Sequence, residues 1–332
     1  MPKLAHIRLF IGAIVLMTMF TCAMPSMAQV RNPDGTPNPS ASVIDEQTLL
    51  KQVPRIEGRI DIPNQRESVL VQPAGRIWDY FHEVILRWFG TIVIIGTIAA
   101  LVIGYFVLGR LRISAGRSGK RMLRFNGFER FCHWLTAVSF VILGLTGLNI
   151  TFGKNLLMPL LGPSNFTAFS QASKYAHNFV SFAFFIGLIL IVALWVKDNI
   201  PRAVDIEWLR QGGGYIKSKH APAGRFNAGE KLVFWAALGA GIAVIASGLL
   251  LLFPFYGTNI AGMQIAQAVH ALVAMLFVAL ILGHIYIGTL GMEGAFEAMG
   301  QGTVDVNWAK EHHSVWYAEK MGRTAPEERV TA

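Results

Sequence analysis

The sequence predicts an all-α integral membrane protein: a four-helix bundle preceded by one additional N-terminal transmembrane helix. Three observations predict it. The 332 residues are 53% hydrophobic and only 15% charged, where soluble domains carry about 25% charged residues. The apolar residues gather into five segments of about 20 residues or more, each enough to cross a hydrocarbon core. Basic loops alternate with neutral ones between those segments, as the positive-inside rule requires. With 2 cysteines, a disulfide framework, an iron–sulfur cluster and a four-cysteine zinc site are excluded from this chain.

Residues 1–28 read as a secretory signal. Lys3 and Arg8 give a basic start, Leu9 to Phe20 is an apolar run, and Ser26-Met27-Ala28 is a small-x-small exit before Gln29. The competing reading is an uncleaved anchor helix. The residues before Cys22 do not fit a lipoprotein signal, so cleavage leaves Cys132 as the remaining thiol. Residues 29–87 are polar, rich in Pro, Asn, Gln and Ser, and read as an extracytoplasmic segment without a catalytic motif.

The five spans are expected at 88–109, 131–152, 176–196, 231–253 and 265–290. A lipid-exposed backbone must satisfy its own hydrogen bonds, so each is a helix. Segment 88–109 has no His, Asp or Glu and reads as an anchor. Residues 110–130 form a basic cytoplasmic loop, with Arg110, Arg112, Arg117, Lys120, Arg121, Arg124 and Arg130 against Glu129. The third-to-fourth loop is also basic, while 153–175 and 254–264 hold only Lys154 and Lys174. The mature N-terminus is therefore expected in the periplasm and the tail, 291–332, in the cytoplasm of a bacterial inner membrane. The formal charge of +9 is accounted for by topology, and no nucleic-acid partner is needed.

Residues 131–290 carry the chemistry. Ionisable residues inside a bilayer are costly and mark function, and four of the 9 histidines lie in spans. His270 and His284 share the fifth span. Their separation of 14 positions is a rise of roughly 21 Å and a net turn of about −40°. Both lie on one face, one near each membrane surface. His177 begins the third span at the outer level and His133 begins the second at the inner level. His177 and His270, then His133 and His284, form two pairs at two depths. Facing imidazoles across a bundle are the usual axial ligation of a b-type haem, which makes 131–290 a di-haem cytochrome b bundle. Zinc is poorly served by two ligands per level without acid or thiol. Gly144, Gly147, Gly239, Gly241, Gly248 and Gly283 offer room for a macrocycle or for ordinary small-residue packing. His6, His82, His220, His312 and His313 read as surface residues, and Cys132 as a small buried apolar one.

The segments FERFCHWLTAVSFVILGLTG, SKYAHNFVSFAFF, WVKDNIP before DIEWL, RFNAGEKLVFW, and QAVHALVAMLFVALILGHIYIG before WAKEHHSVWY resemble the cytochrome b gamma subunit of respiratory formate dehydrogenase. The similarity runs from Phe125 to Tyr317; the signal, outer segment and first span resemble a longer bacterial form. The resemblance implies two b haems on the four span histidines. It also implies an iron–sulfur beta subunit as electron donor and a molybdopterin or tungstopterin alpha subunit that oxidises formate. The electron acceptor it implies is a quinone, menaquinone or ubiquinone, reduced near the cytoplasmic face. The family's quinone pocket maps onto His284, Asn227 and Gly229, with Glu230 where the family can carry Gln. The same Asn227-to-Glu230 turn also reads as a helix N-cap with an acid in its first turn. Other readings are the cytochrome b of a membrane hydrogenase or a thiosulfate or polysulfide reductase, and a haem-free transporter or anchor using histidines as a proton relay. The quinone's identity and any higher oligomer of the complex stay open.

Overall fold

The structure is a computed structural model and describes residues 74–214, 221–254 and 256–322. The expected signal, most of the outer segment, His6, His220 and the end of the tail lie outside those residues. Among the described residues, five helices are long and apolar enough to span a membrane: Ile77–Leu108, Gly127–Leu156, Pro163–Trp195, Ala228–Leu252 and Ile260–Gly291. The protein is thus a mostly helical, multi-pass membrane protein whose spans form a helical bundle. Each helix begins before its expected apolar stretch, extending at its N-terminal side into more polar sequence. The third shows this most: Gly162, at φ 77°, turns the chain and Pro163 begins the helix, and proline suits that position because its missing N–H has no partner there anyway.

The second and fourth spans start alike. Asn126 accepts from the Glu129 N–H at 2.9 Å, and Glu129 accepts from the Asn126 N–H at 2.9 Å. Asn227 and Glu230 do the same at 2.9 and 2.8 Å. These reciprocal boxes satisfy helix-end donors that lipid could not.

The likeness extends beyond the caps. Arg124, Phe125, Asn126, Glu129, Trp134, Thr146 and Gly147 recur 101 positions later as Arg225, Phe226, Asn227, Glu230, Trp235, Ser247 and Gly248. Their contacts are reciprocal. Arg124 pairs with Glu230 and Arg225 with Glu129. Trp134 donates to the Met299 carbonyl beyond the fifth span, and Trp235 to the Asn199 carbonyl beyond the third. The bundle is therefore a repeated helix pair, the second and third spans against the fourth and fifth. The first span stands outside the repeat and packs on the fifth, with Gly90 against the Met275 side chain.

The basic end is closed by a small folded cap. Strand β1 (Arg121–Leu123) pairs antiparallel with β2 (Thr303–Asp305), Met122 opposite Val304. Ile113, Phe125, Trp195, Phe226, Val304, Trp308 and Trp316 share one core beneath the bundle. Arg117 binds Glu293 and Glu297, and Arg121 binds Glu297. The loop and the tail, read separately in sequence, are one unit. Elsewhere the spans present bare apolar faces, such as Leu145, Phe179, Leu232 and Ile265, which lipid covers without penalty.

Candidate functional site

The span histidines stand in two pairs. At the neutral end, the rings of His177 and His270 have centroids 6.1 Å apart. At the basic end, those of His133 and His284 are 6.2 Å apart. Between the levels sits a cluster of Phe140, Phe184 and Phe277, with Phe140 and Phe277 centroids 4.6 Å apart. Phe277 lies midway between His270 and His284 on the fifth span.

The neutral-end rings are held by hydroxyls. Thr146 Oγ1 lies 3.0 Å from His177 Nδ1, and Ser247 Oγ lies 3.1 Å from His270 Nδ1. Thr146 gives its one proton to the Ile142 carbonyl at 2.7 Å, and Ser247 gives its own to Ala243 at 2.6 Å. Each hydroxyl is left as an acceptor, so Nδ1 carries the ring proton and Nε2 the lone pair. Beside the rings are Gly147 and Gly248. A Cβ there would meet the His177 ring at 3.4 Å and the His270 ring at 3.2 Å. Of the other glycines expected to make room, Gly241 packs against Leu188, Gly144 makes ordinary contact with Val278, and Gly239 and Gly283 face open space.

At the basic end, His133 stands edge-on to Trp134 and near Trp195, and its Nδ1 is buried without a hydrogen-bond partner. Cys132 beside it is fully buried, as expected.

Both separations suit one metal ion between two imidazoles. A metal–nitrogen bond of about 2.0 Å, with the ring centre roughly 1.1 Å behind it, sets opposed centroids about 6.2 Å apart. Among the described residues no three His, Cys, Asp or Glu side chains gather to hold a metal by themselves. A two-imidazole site therefore fits an ion whose other ligands come from a macrocycle.

Asn227 is buried. Its Oδ1 is committed to the cap, and its amide NH2 remains as a donor. Gly229 lies beneath Trp208, whose ring a Cβ would meet at 3.1 Å; the close approach is made by this tryptophan of helix Ala203–Arg210. Glu230 is braced by Arg124 at 3.3 Å. Lys231, next to it in the chain, makes a buried ion pair with Asp205 at 2.7 Å and donates to the Ile200 carbonyl. No hydrogen bond, ion pair or ring contact joins His284 to Asn227, Gly229 or Glu230 among the described residues; the inner pair approaches that turn through Trp195, which stacks near both His133 and Phe226.

One surface expectation is overturned. His313 is 1% exposed, deep in the cap. Its Nδ1 lies 2.8 Å from the Gly224 carbonyl and its Nε2 3.1 Å from Arg124 Nη2. The arginine can only donate, so Nε2 accepts and Nδ1–H donates to the carbonyl. Burial, then the Arg124 charge, hold the imidazole well below its ordinary pKa. Arg124 is lowered too, first by its own burial. His312 is half-buried against Trp308, and His82 is partly exposed beside Gln267.

Thr146, Ser247 and Arg124 were not singled out from sequence. The signal that finds them is the 101-residue repeat, which sets each hydroxyl-glycine pair at the same distance from its capping asparagine.

The prokaryotic cytochrome b561 family matches residues 124–302. The chain belongs to this family. Membership implies haem b. Among curated relatives, the formate dehydrogenase cytochrome b556(fdo) subunit of Escherichia coli strain K12 is 30% identical over 202 residues, 60% of this chain and 92% of that protein. The nitrate-inducible cytochrome b556(Fdn) subunit of the same organism is 28% identical over 207 residues, with the same coverage. The formate dehydrogenase cytochrome b556 subunit of Haemophilus influenzae is also 28% identical, over 84% of its length. The matched region holds the b561 bundle and the four span histidines; the first span lies before it.

Proposed function

We propose that this chain is the cytochrome b subunit of a membrane formate dehydrogenase complex and delivers electrons to quinone across the bacterial inner membrane. The observation that carries the reading is two imidazole pairs, each spaced for one iron, at two depths of a bundle whose relatives are formate dehydrogenase cytochrome b subunits. Two b haems, when bound, supply one-electron relay between the membrane faces. His177 and His270 hold the outer one, and His133 and His284 the inner one. The basic end faces the cytoplasm, and the neutral end and mature N-terminus face the periplasm. Iron–sulfur and molybdopterin or tungstopterin chemistry belong to beta and alpha partner subunits. The near-absence of cysteine here supports that division.

Quinone is the substrate at the inner end, in a pocket of His284, Asn227, Gly229 and Glu230. The free amide of Asn227 donates to a quinone carbonyl. Glu230, held by Arg124, passes a proton from the cytoplasmic side. Taking protons there conserves energy, since one charge crossing the membrane is worth about 2.3 kcal/mol per 100 mV.

The test is His270→Ala in the purified complex. Haem content falls from two to one per chain by pyridine haemochrome assay, and quinone reduction stops. Formate oxidation with a dye acceptor, on the partner, continues. Two haems retained in the variant would reject the ligand assignment. Molybdenum or tungsten in the co-purified large subunit supports the formate reading, and nickel rejects it in favour of a hydrogenase.

A further inference from the structure

The two histidine pairs are not built alike, and the difference follows the repeat. Thr146-Gly147 and Ser247-Gly248 occupy equivalent positions in the second and fourth spans. Each hydroxyl accepts the Nδ1 proton of a histidine on the following span, His177 or His270. Each hydroxyl is itself fixed by its own helix, through the Ile142 and Ala243 carbonyls. Each glycine lets the same ring lie against the helix backbone. The neutral-end site is therefore symmetric and doubly hydrogen-bonded. At the basic end, His133 Nδ1 is buried with no partner, and the position equivalent to His133 is Phe234. The repeat does not extend to that pair.

An imidazole that donates from Nδ1 gains electron density at Nε2 and becomes a stronger ligand. A stronger donor favours oxidised over reduced iron and lowers the reduction potential. We infer that Thr146 and Ser247 are positioning residues that fix the ligating tautomer of His177 and His270 and set the neutral-end haem to a lower potential than the basic-end haem. The inference rests on the di-haem reading above and deepens it. It supplies a direction: electrons entering at the neutral end run downhill in energy towards the higher potential of the basic end, which offsets the work of moving them against the membrane field.

The test is potentiometric titration of the b-type absorbance in the purified holo-complex, with His270→Ala identifying the neutral-end component. In wild type the neutral-end component is the lower of the two. Thr146→Val and Ser247→Ala each raise it, the double variant raises it further, and the basic-end component stays in place. Thr146→Ser, which keeps the hydroxyl, titrates as wild type. Where Thr146→Val loses the neutral-end haem outright, its retention in Thr146→Ser upholds the role. Loss in both variants overturns it, as does an unmoved component or an equal shift of both. A wild-type complex with fewer than two b components would instead overturn the di-haem reading.

Discussion

His313 shows what one buried side chain does here. It bonds the Gly224 carbonyl with one nitrogen and Arg124 with the other, which requires the neutral ring. The groups facing it are Arg124, His312 and, at 3.9 Å, Glu230. Burial and the arginine lower its pKa in the folded state, so the unfolded chain binds the extra proton first. Stability from this ring is complete above the unfolded pKa of about 6.5 and is lost as pH falls below it. Hydrogen-exchange protection factors of residues 303–320, which correct for the intrinsic pH dependence of exchange, should fall as pH is lowered from about 7.5 to about 5.5, and the fall should shrink in His313→Gln. An unchanged pH response in the variant would place the titration elsewhere. Nothing local in the sequence announced this burial, because its partners lie 89 and 189 positions away. The span histidines were legible for the opposite reason: helix rise and pitch alone set their depth and face.

The elements depend on their ends. Helix Ala203–Arg210 is fastened by the buried Lys231–Asp205 pair, with Asp205 also accepting from the Arg202 N–H at 2.7 Å. Removing one partner of a buried pair strands a charge and costs about 3–5 kcal/mol. Lys231→Met should lower the unfolding temperature of the complex markedly. Lys231→Met with Asp205→Asn should regain most of the loss, since the amide oxygen keeps the cap bond without a charge. Equal destabilisation of the single and double variants would show that packing, not charge, is what Lys231 provides. Span existence and order were readable from apolar length. Span ends were less so: the Asn227-to-Glu230 turn was readable as a cap and is one, but Asn126 and Pro163 begin helices in polar sequence that hydropathy discards. Helix Ala203–Arg210 covers Gly229, so a residue mapped to the quinone pocket packs first against Trp208.

For the whole molecule, the bundle follows from composition and its proposed orientation from loop charge, while the cap follows from neither. Strands of three residues joined across the full chain carry no periodic signal. The loop arginines that mark topology also fold the cap, through Glu293 and Glu297. Orientation is testable with single thiols in a Cys22→Ser background, because Cys132 is buried. Tyr256→Cys, at an 82% exposed position of the neutral end, should react with an impermeant maleimide on intact cells. Arg112→Cys, exposed at the basic end, should react only after lysis. The reverse pattern would invert the proposed path.

The repeat also bears on stoichiometry. The counterparts of His133 and His284 are Phe234 and, 14 positions beyond His177, Ile191; both side chains pack against the cap core. Had both halves kept their histidines, each chain would offer two exits, and electrons arriving singly could be split between two acceptors. With hydrocarbon in the second position, the proposed path has one exit, and a quinone at that exit would receive both of the electrons it needs to leave as a quinol.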